Sequence, residues 1–260
     1  MKGDARIERL KRRLASGGCG LVDICSRSDL EGRDVGMLVS IGGDGTFLSA
    51  AALVGESGIP VLGMNLGRLG FLSENGPDQV ADAILSGAYS VEDRTLLSAK
   101  PSFMTGNPSV DGWPFALNEV TVHRIGAAML GVDVDIDGAP LPTYWADGLI
   151  VATSSGSTAY SLSVGGARVL IISPISPHNL NVRPLIVPDT AGISIRLRSR
   201  DSSVMFTLDN RMVEADASLG LEVSMAQFSL KRVRLNGSNF INALTSKLFW
   251  GEDIRNGREK

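Results

Sequence analysis

Three short stretches of this chain bring together side chains that can do chemistry. The first is "IGGDGTF", in which Asp44 lies among Gly42, Gly43 and Gly45, with Thr46 next. Glycine lets the backbone come close to a ligand and take conformations other residues avoid. An apolar run precedes the loop and a helical run follows it, the place where an open α/β sheet binds ligands. Backbone N–H groups there and the helix N-terminus would bind phosphate oxygens. A carboxylate beside bound phosphate repels it unless it has a task. It can accept a proton from an attacking hydroxyl, or hold Mg²⁺ against the phosphates. The plain alternative is a tight turn in which Asp44 caps the helix. The loop is neither a Walker motif, since no Gly-Lys-Ser/Thr follows, nor a GxGxxG fingerprint.

The second stretch is "NEVTVHR", from Asn118 to Arg124. An amide beside a carboxylate at the start of a strand can hold two vicinal hydroxyls, Glu119 accepting while Asn118 donates and accepts. The alternative is a strand entry with solvated polar residues. The third is "ADGLIVATSSGSTAYSLSVGG", where an apolar strand runs into small hydroxyl residues and one aromatic, Tyr160. Such a loop can wrap a nucleotide with the ring against a base; the alternative is a Ser/Gly-rich surface loop. His123 and His178 have no third ligand at metal spacing and read as structural. Arg68, Arg124 and Arg183 are candidates to offset phosphate charge.

These stretches need elements to position them. "ARIERLKRRLAS" reads as a surface helix through Ile7, Leu10 and Leu14, and "GLVDICS", with Cys19 just before it and Cys25 within it, as a strand whose cysteines are buried thiols. "VGMLVSI" and "IPVLGMN" read as buried strands, with "FLSAAALVG" and "GPDQVADAILSG" as helices, the latter bounded by Pro77 and Gly87. Short βα units of this kind imply a mostly parallel sheet. Near Glu92 the pattern changes to alternation, as in "ALNEVTVHR", "GVDVDIDGAPL", "ISIRLRS" and "VMFTLDN", with a hairpin signal at Asp137-Gly138. The last segment, "NFINALTSKLFWG", regains helical spacing. The expected division is an α/β domain over 1–91, a β-rich domain over 92–235 and a segment over 236–260 returning to the first domain, with a ligand cleft between the domains.

With 260 residues, 43% of them hydrophobic and 20% charged, the chain has the composition of a soluble globular protein. Its net charge of −3 gives no global field for nucleic acid or an anionic membrane surface. No apolar run approaches membrane-spanning length, and the basic N-terminus lacks the apolar core of a secretory signal. The expected location is the cytoplasm.

Taken in order, the strings "GGDGT" (42–46), "GRLGF" (67–71), "LNEVTVHR" (117–124), "DGLIVATSSGSTAYSLSVGG" (147–166) and "PISPHNLNVRPLIVP" (174–188) resemble the NAD kinase family, bacterial type. GGDG alone is shared with lipid kinases and phosphofructokinases; the combination is far more specific. The resemblance implies an N-terminal Rossmann-like α/β domain, a C-terminal β-sandwich-like domain and a final helix packing back on the first. It implies a phosphotransferase that uses ATP or polyphosphate, with Mg²⁺ or another divalent cation, to phosphorylate the 2′-hydroxyl of the adenosine ribose of NAD. By that analogy Asp44 is the proton acceptor and a possible metal ligand, and Gly42, Gly43, Gly45 and Thr46 lie along the donor phosphates. Asn118 and Glu119 hold NAD's ribose and diphosphate side. Ser155, Thr158, Ala159 and Tyr160 line the adenine pocket, Phe71 closes it, Ser163 belongs to the NAD-binding set, and Asp147 reaches the NAD site, often from a neighbouring subunit of a homodimer or homotetramer.

Three departures from the family pattern stand out. The chain opens in a helix where the family usually has a strand, Ser154 replaces a usual proline, and the stretch from Gly166 to Pro174 is short. The rival expectations are a non-catalytic NAD or NADP sensor and, further off, a lipid kinase of the same superfamily.

Overall fold

The computed structural model describes residues 4–67, 70–155, 169–179 and 181–237. By internal contacts the chain divides into two compact units, Met1–Glu92 with Lys231–Lys260, and Asp93–Leu230.

The first unit begins with α1 (Ala5–Ser16), whose Ile7, Leu10 and Leu14 form one buried stripe. Asp4 caps it by accepting the Arg6 N–H at 2.9 Å. Then come β1 (Leu38–Ile41), α2 (Asp44–Val54), β2 (Val61–Met64) and α3 (Pro77–Ser86). Pro77 starts α3, where its missing N–H costs nothing, and Gly87 ends it in the left-handed conformation. β1 and β2 pair in parallel, Leu38 beside Val61 and Ile41 beside Met64, as the βα spacing implies. Leu62 and Met64 of β2 pack with Leu10, Leu14, Val80 and Ala83 in one core.

Two readings of this unit are corrected. "GLVDICS" forms no strand: Leu21 and Val22 are 46% and 48% exposed, Cys25 is exposed and Cys19 only partly buried. Among the described residues β1 is the edge strand of its sheet, paired with β2 alone, and the run does not add to its free edge, so its backbone groups form no ladder. For the same reason β1 is only partly buried, with Ser40 its one buried residue, whereas β2 is buried throughout.

The chain leaves the first unit within β3 (Tyr89–Pro101) and returns within β15 (Gly220–Leu235). Between them lie the short helical turn α4 (Pro108–Asp111), β4 (Phe115–Ala116), β5 (Glu119–Arg124), β6 (Leu130–Ile136), β7 (Ala139–Pro140), β8 (Tyr144–Ala146) and β9 (Gly148–Thr153). Then follow β10 (Val169–Ile175), β11 (Leu185–Pro188), β12 (Ile193–Arg198), β13 (Ser203–Leu208) and β14 (Arg211–Asp216). One sheet has the antiparallel order β11-β10-β9-β5-β13-β14; in the other, β12 pairs antiparallel with both β6 and β15. Val120, Val151, Ile172 and Phe206 from the first meet Val132, Val134, Ile193 and Val223 from the second in one core. The alternating runs predict a β-rich unit, and the sandwich is the form that the family resemblance implied. Asp137 and Gly138 turn β6 into β7 with φ of 51° and 85°, as a two-residue hairpin requires. The expected C-terminal helix lies outside the described residues.

Candidate active site

In the first unit, α2 starts at Asp44, and Gly43 occupies the cap position with no side-chain cap. The Asp44 carboxylate does not cap its own helix. It crosses to the loop after β2, where Oδ2 accepts the Phe71 N–H at 2.8 Å and Oδ1 accepts those of Leu72 and Ser73 at 2.9 and 3.0 Å. Three consecutive N–H groups thus fix both oxygens. The approach is close enough that a Cβ on Gly70 would collide with Oδ1. Gly42 is required for a similar reason, because a Cβ there would strike the Thr46 side chain.

That loop is itself braced. The Asn65 N–H donates to Asn75 O and its side-chain amide to Ser73 O, both at 2.9 Å. The Asn75 amide reaches Gly63 O at 3.3 Å, and Gly63 must be glycine because a Cβ would collide with Leu72 O. Arg232 is buried behind it, donating to Phe71 O at 3.1 Å and pairing with Glu74 at 2.9 Å and Glu92 at 3.4 Å. At the mouth of α2, the N–H groups of Gly43 and Asp44 meet no acceptor among the described residues. An open helix N-terminus is an anion site. Gly42, Gly43, Gly45, Thr46 and Phe71 are therefore brought to Asp44.

In the second unit, the Asn118–Glu119 step is held from both sides. Asp209, in the turn between β13 and β14, accepts the N–H groups of Leu117 at 2.8 Å, Asn118 at 2.7 Å and Glu119 at 3.2 Å. Thr153 at the end of β9 donates its hydroxyl to Leu117 O at 2.7 Å and its N–H to Asn118 O at 2.8 Å. Burial, and then the charge of Asp209, push the Glu119 carboxyl above its ordinary range. Burial pushes Asp209 up as well, against the three N–H groups that favour its anion. The Ser155 N–H donates to Thr153 Oγ1 at 3.1 Å, and its buried hydroxyl has no partner among the described residues. An unpartnered buried hydroxyl is a group with bonding capacity to spare.

Asp147 is bound within its own chain: Oδ1 accepts from Arg124 Nε at 2.5 Å, and that bond holds its carboxyl below the usual range. Arg124 is thereby committed to Asp147, and Arg183 donates to Val182 O at 2.9 Å. His123 Nδ1 lies 2.7 Å from Arg124 O, and no group of three His, Cys, Asp or Glu side chains suited to a metal occurs among the described residues. Thr158, Ala159, Tyr160, Ser163 and Arg68 lie outside the described residues. Sequence reasoning missed Asp209, Asn65, Asn75 and Arg232. Only Asp209 carried a signal, in the turn-forming "LDN" after an alternating strand.

An anion-binding helix N-terminus beside a fixed carboxylate, on a parallel βα unit, defines a phosphate-handling α/β protein; the β-sandwich carries a separate polar step. Comparison with known proteins is more specific. Residues 27–89 match the ATP-NAD kinase N-terminal domain and residues 117–235 the ATP-NAD kinase C-terminal domain. The NAD kinase of Flavobacterium psychrophilum is 39% identical over 241 residues, covering 89% of this chain and 81% of that protein. The NAD kinase of Bacteroides fragilis is 39% identical over 232 residues, covering 85% and 79%. Among solved structures, yeast NADH kinase complexed with NADH superposes with a TM-score of 0.74 at 29% identity, covering 90% of this chain and 71% of that one. An NAD kinase from Archaeoglobus fulgidus in complex with ATP gives 0.72 at 25%, covering 95% and 96%. The chain belongs to the NAD kinase family, enzymes that phosphorylate NAD. The sensor and lipid-kinase readings are not favoured by these relatives.

Proposed function

We propose that the chain transfers the terminal phosphoryl group of ATP, or of polyphosphate, to the 2′-hydroxyl of the adenosine ribose of NAD. The observation that carries this reading is the Asp44 carboxylate, fixed by three N–H groups beside open N–H groups at the start of α2. The ATP complex of the Archaeoglobus relative and the NADH complex of the yeast relative support the same pair of ligand classes. Asp44 accepts the proton of the 2′-hydroxyl as its oxygen attacks the terminal phosphorus. The bond from that phosphorus to the bridging oxygen breaks, ADP or shortened polyphosphate leaves, and the proton passes on to solvent. Phosphoryl transfer asks the protein mainly for positioning and charge compensation.

In this reading Gly42, Gly43, Gly45 and Thr46 line the donor phosphates, and Asn118 and Glu119 hold the NAD ribose and diphosphate. Ser155, Thr158, Ala159 and Tyr160 receive the adenine, with Phe71 closing over it, and Ser163 contributes to NAD binding. Mg²⁺ fits as an ion carried in on the donor phosphates, because Asp44 Oδ2 accepts a single N–H and keeps one lone pair. Held there, it would supply neutralisation of phosphate charge. The reading includes an α/β domain over 1–91, an NAD-binding domain over 92–235 and a returning segment over 236–260. It also includes a homodimer or homotetramer in which Asp147 lies near a neighbour's NAD site, and a cytoplasmic location. Among the described residues no helix is long and apolar enough to cross a membrane.

The test is NADP formation by purified protein given NAD and Mg²⁺ with ATP or polyphosphate in parallel. Turnover with one donor supports the reading and names the donor. Saturable NAD binding with no product from either would overturn it in favour of a sensor.

A further inference from the structure

In the function proposed above, Asn118 and Glu119 hold the NAD ribose and diphosphate side, and the backbone around them shows what aims them. All six backbone polar groups of residues 117–119 are engaged. Asp209 takes the three N–H groups. Thr153 donates to the carbonyls of Leu117 and Asn118, and the Asp209 N–H donates to Glu119 O at 3.0 Å. Asp209 and Glu119 thus clasp each other's backbone in both directions. Asp209 holds this position with φ of 53°, a left-handed conformation that Asp tolerates better than most residues. The Asn118 and Glu119 side chains, by contrast, make no hydrogen bond or ion pair among the described residues. A backbone with no freedom left and two polar side chains with all of theirs is the arrangement of a preorganised ligand site.

We propose that Asp209 is a positioning residue for the NAD site, setting the direction of the Asn118 and Glu119 side chains through the three N–H groups it binds. The proposal rests on the kinase reading for its substrate. Its physical core is geometric: only a group with acceptors at both ends can serve three consecutive N–H donors. Asparagine has the same shape but one acceptor. Placed with Oδ1 toward Asn118 and Glu119 it turns an N–H₂ toward the Leu117 N–H; flipped, it turns that N–H₂ on the other two. One end of the step must therefore move.

The experiment is steady-state kinetics of Asp209→Asn with NAD and ATP varied separately, with thermal melting of the same sample and NAD binding by calorimetry. The expected result is a KM for NAD raised about tenfold, the size of effect that loss of positioning produces. The KM for ATP should stay within about twofold, and melting should remain cooperative. A merely structural role lowers the active fraction and leaves both KM values alone; that result, or an unchanged KM for NAD, overturns the proposal. Should Asp209→Asn not fold, Thr153→Val decides. It removes the hydroxyl's bonds to the same step together with the one it accepts from the Ser155 N–H, and a raised KM for NAD supports the proposal while an unchanged one overturns it. Should the wild-type chain make no NADP, the kinase reading falls, and calorimetry still tests Asp209: an NAD affinity equal to wild type in the folded variant sinks it.

Discussion

Asp44 in the first unit and Asp209 in the second are held alike, each carboxylate accepting three consecutive backbone N–H groups. Their surroundings differ. The loop around Asp44 is preceded by Gly70, where no Cβ fits, and it stands on two asparagines and a buried arginine. The loop around Asp209 is preceded by Ala116, whose Cβ is buried without conflict, and its brace is the turn residue itself and Thr153. In the function proposed above, the first carboxylate is the reacting group with the loop as its holder, and the second is the holder of a loop whose side chains meet the ligand. On that proposal one local device, a carboxylate in a nest of N–H groups, would do opposite jobs because the atoms left to bind lie on opposite partners.

The comparison breaks most strongly at Arg232, which supports only the Asp44 side. Arg232→Met leaves Glu74 poorly exposed without its cation, and should cost about 3–5 kcal/mol of stability in a urea melt. Adding Glu74→Leu should recover much of that loss, because a buried pair replaced by apolar groups is often neutral. Gly70→Ala comes next. It pushes on Asp44 Oδ1 and should lower kcat about 100-fold with the KM for NAD little changed, as checked by initial rates on the folded variant.

A smaller effect sharpens the Asp209 side. Glu119 is held above its ordinary value of 4.5 by burial and by Asp209. Its proton returns as the pH falls through that raised value, so NAD affinity should weaken a few-fold on the acid side at a pH above 4.5. Glu119→Gln should flatten that dependence in calorimetry across pH. The smallest effect is a control far from either loop. Asp4 accepts an N–H from Arg6 at 2.9 Å, and its carboxyl is lowered to about 2 by the hydrogen bonds from Arg6. Its depressed value means its contribution is complete above the unfolded value of 3.8 and is lost as the pH falls toward 2. Asp4→Ala should lower the melting temperature slightly at neutral pH, less near pH 2, and leave kcat and both KM values unchanged.

How far the sequence could be read follows from the range of the interactions. Asp44, Asn118 and Glu119 stood out as candidates because chemistry concentrates rare residue types in short stretches. The bounds of α1 and α3 were legible because caps and stripes act within a few residues, and the β-rich character of the second unit because alternation repeats along each strand. Asp209 was not, since its three partners lie about 90 positions away and only the fold joins them. Gly70 and Gly63 looked like ordinary loop and strand glycines; their necessity appears once Asp44 and Leu72 are seen against them. "GLVDICS" misled because its apolar run was taken to find a neighbour, and pairing is decided by the whole sheet.

The most direct test of the account is the same small change at the reacting carboxylate. For Asp44→Asn, kcat for NADP formation and the calorimetric affinity for NAD should be measured on one folded preparation. The account predicts a fall in kcat of about 10²- to 10⁴-fold, the usual contribution of a general base, with NAD affinity nearly unchanged. A variant that turns over at the wild-type rate, or that loses rate only because it no longer binds NAD, contradicts the role given to Asp44.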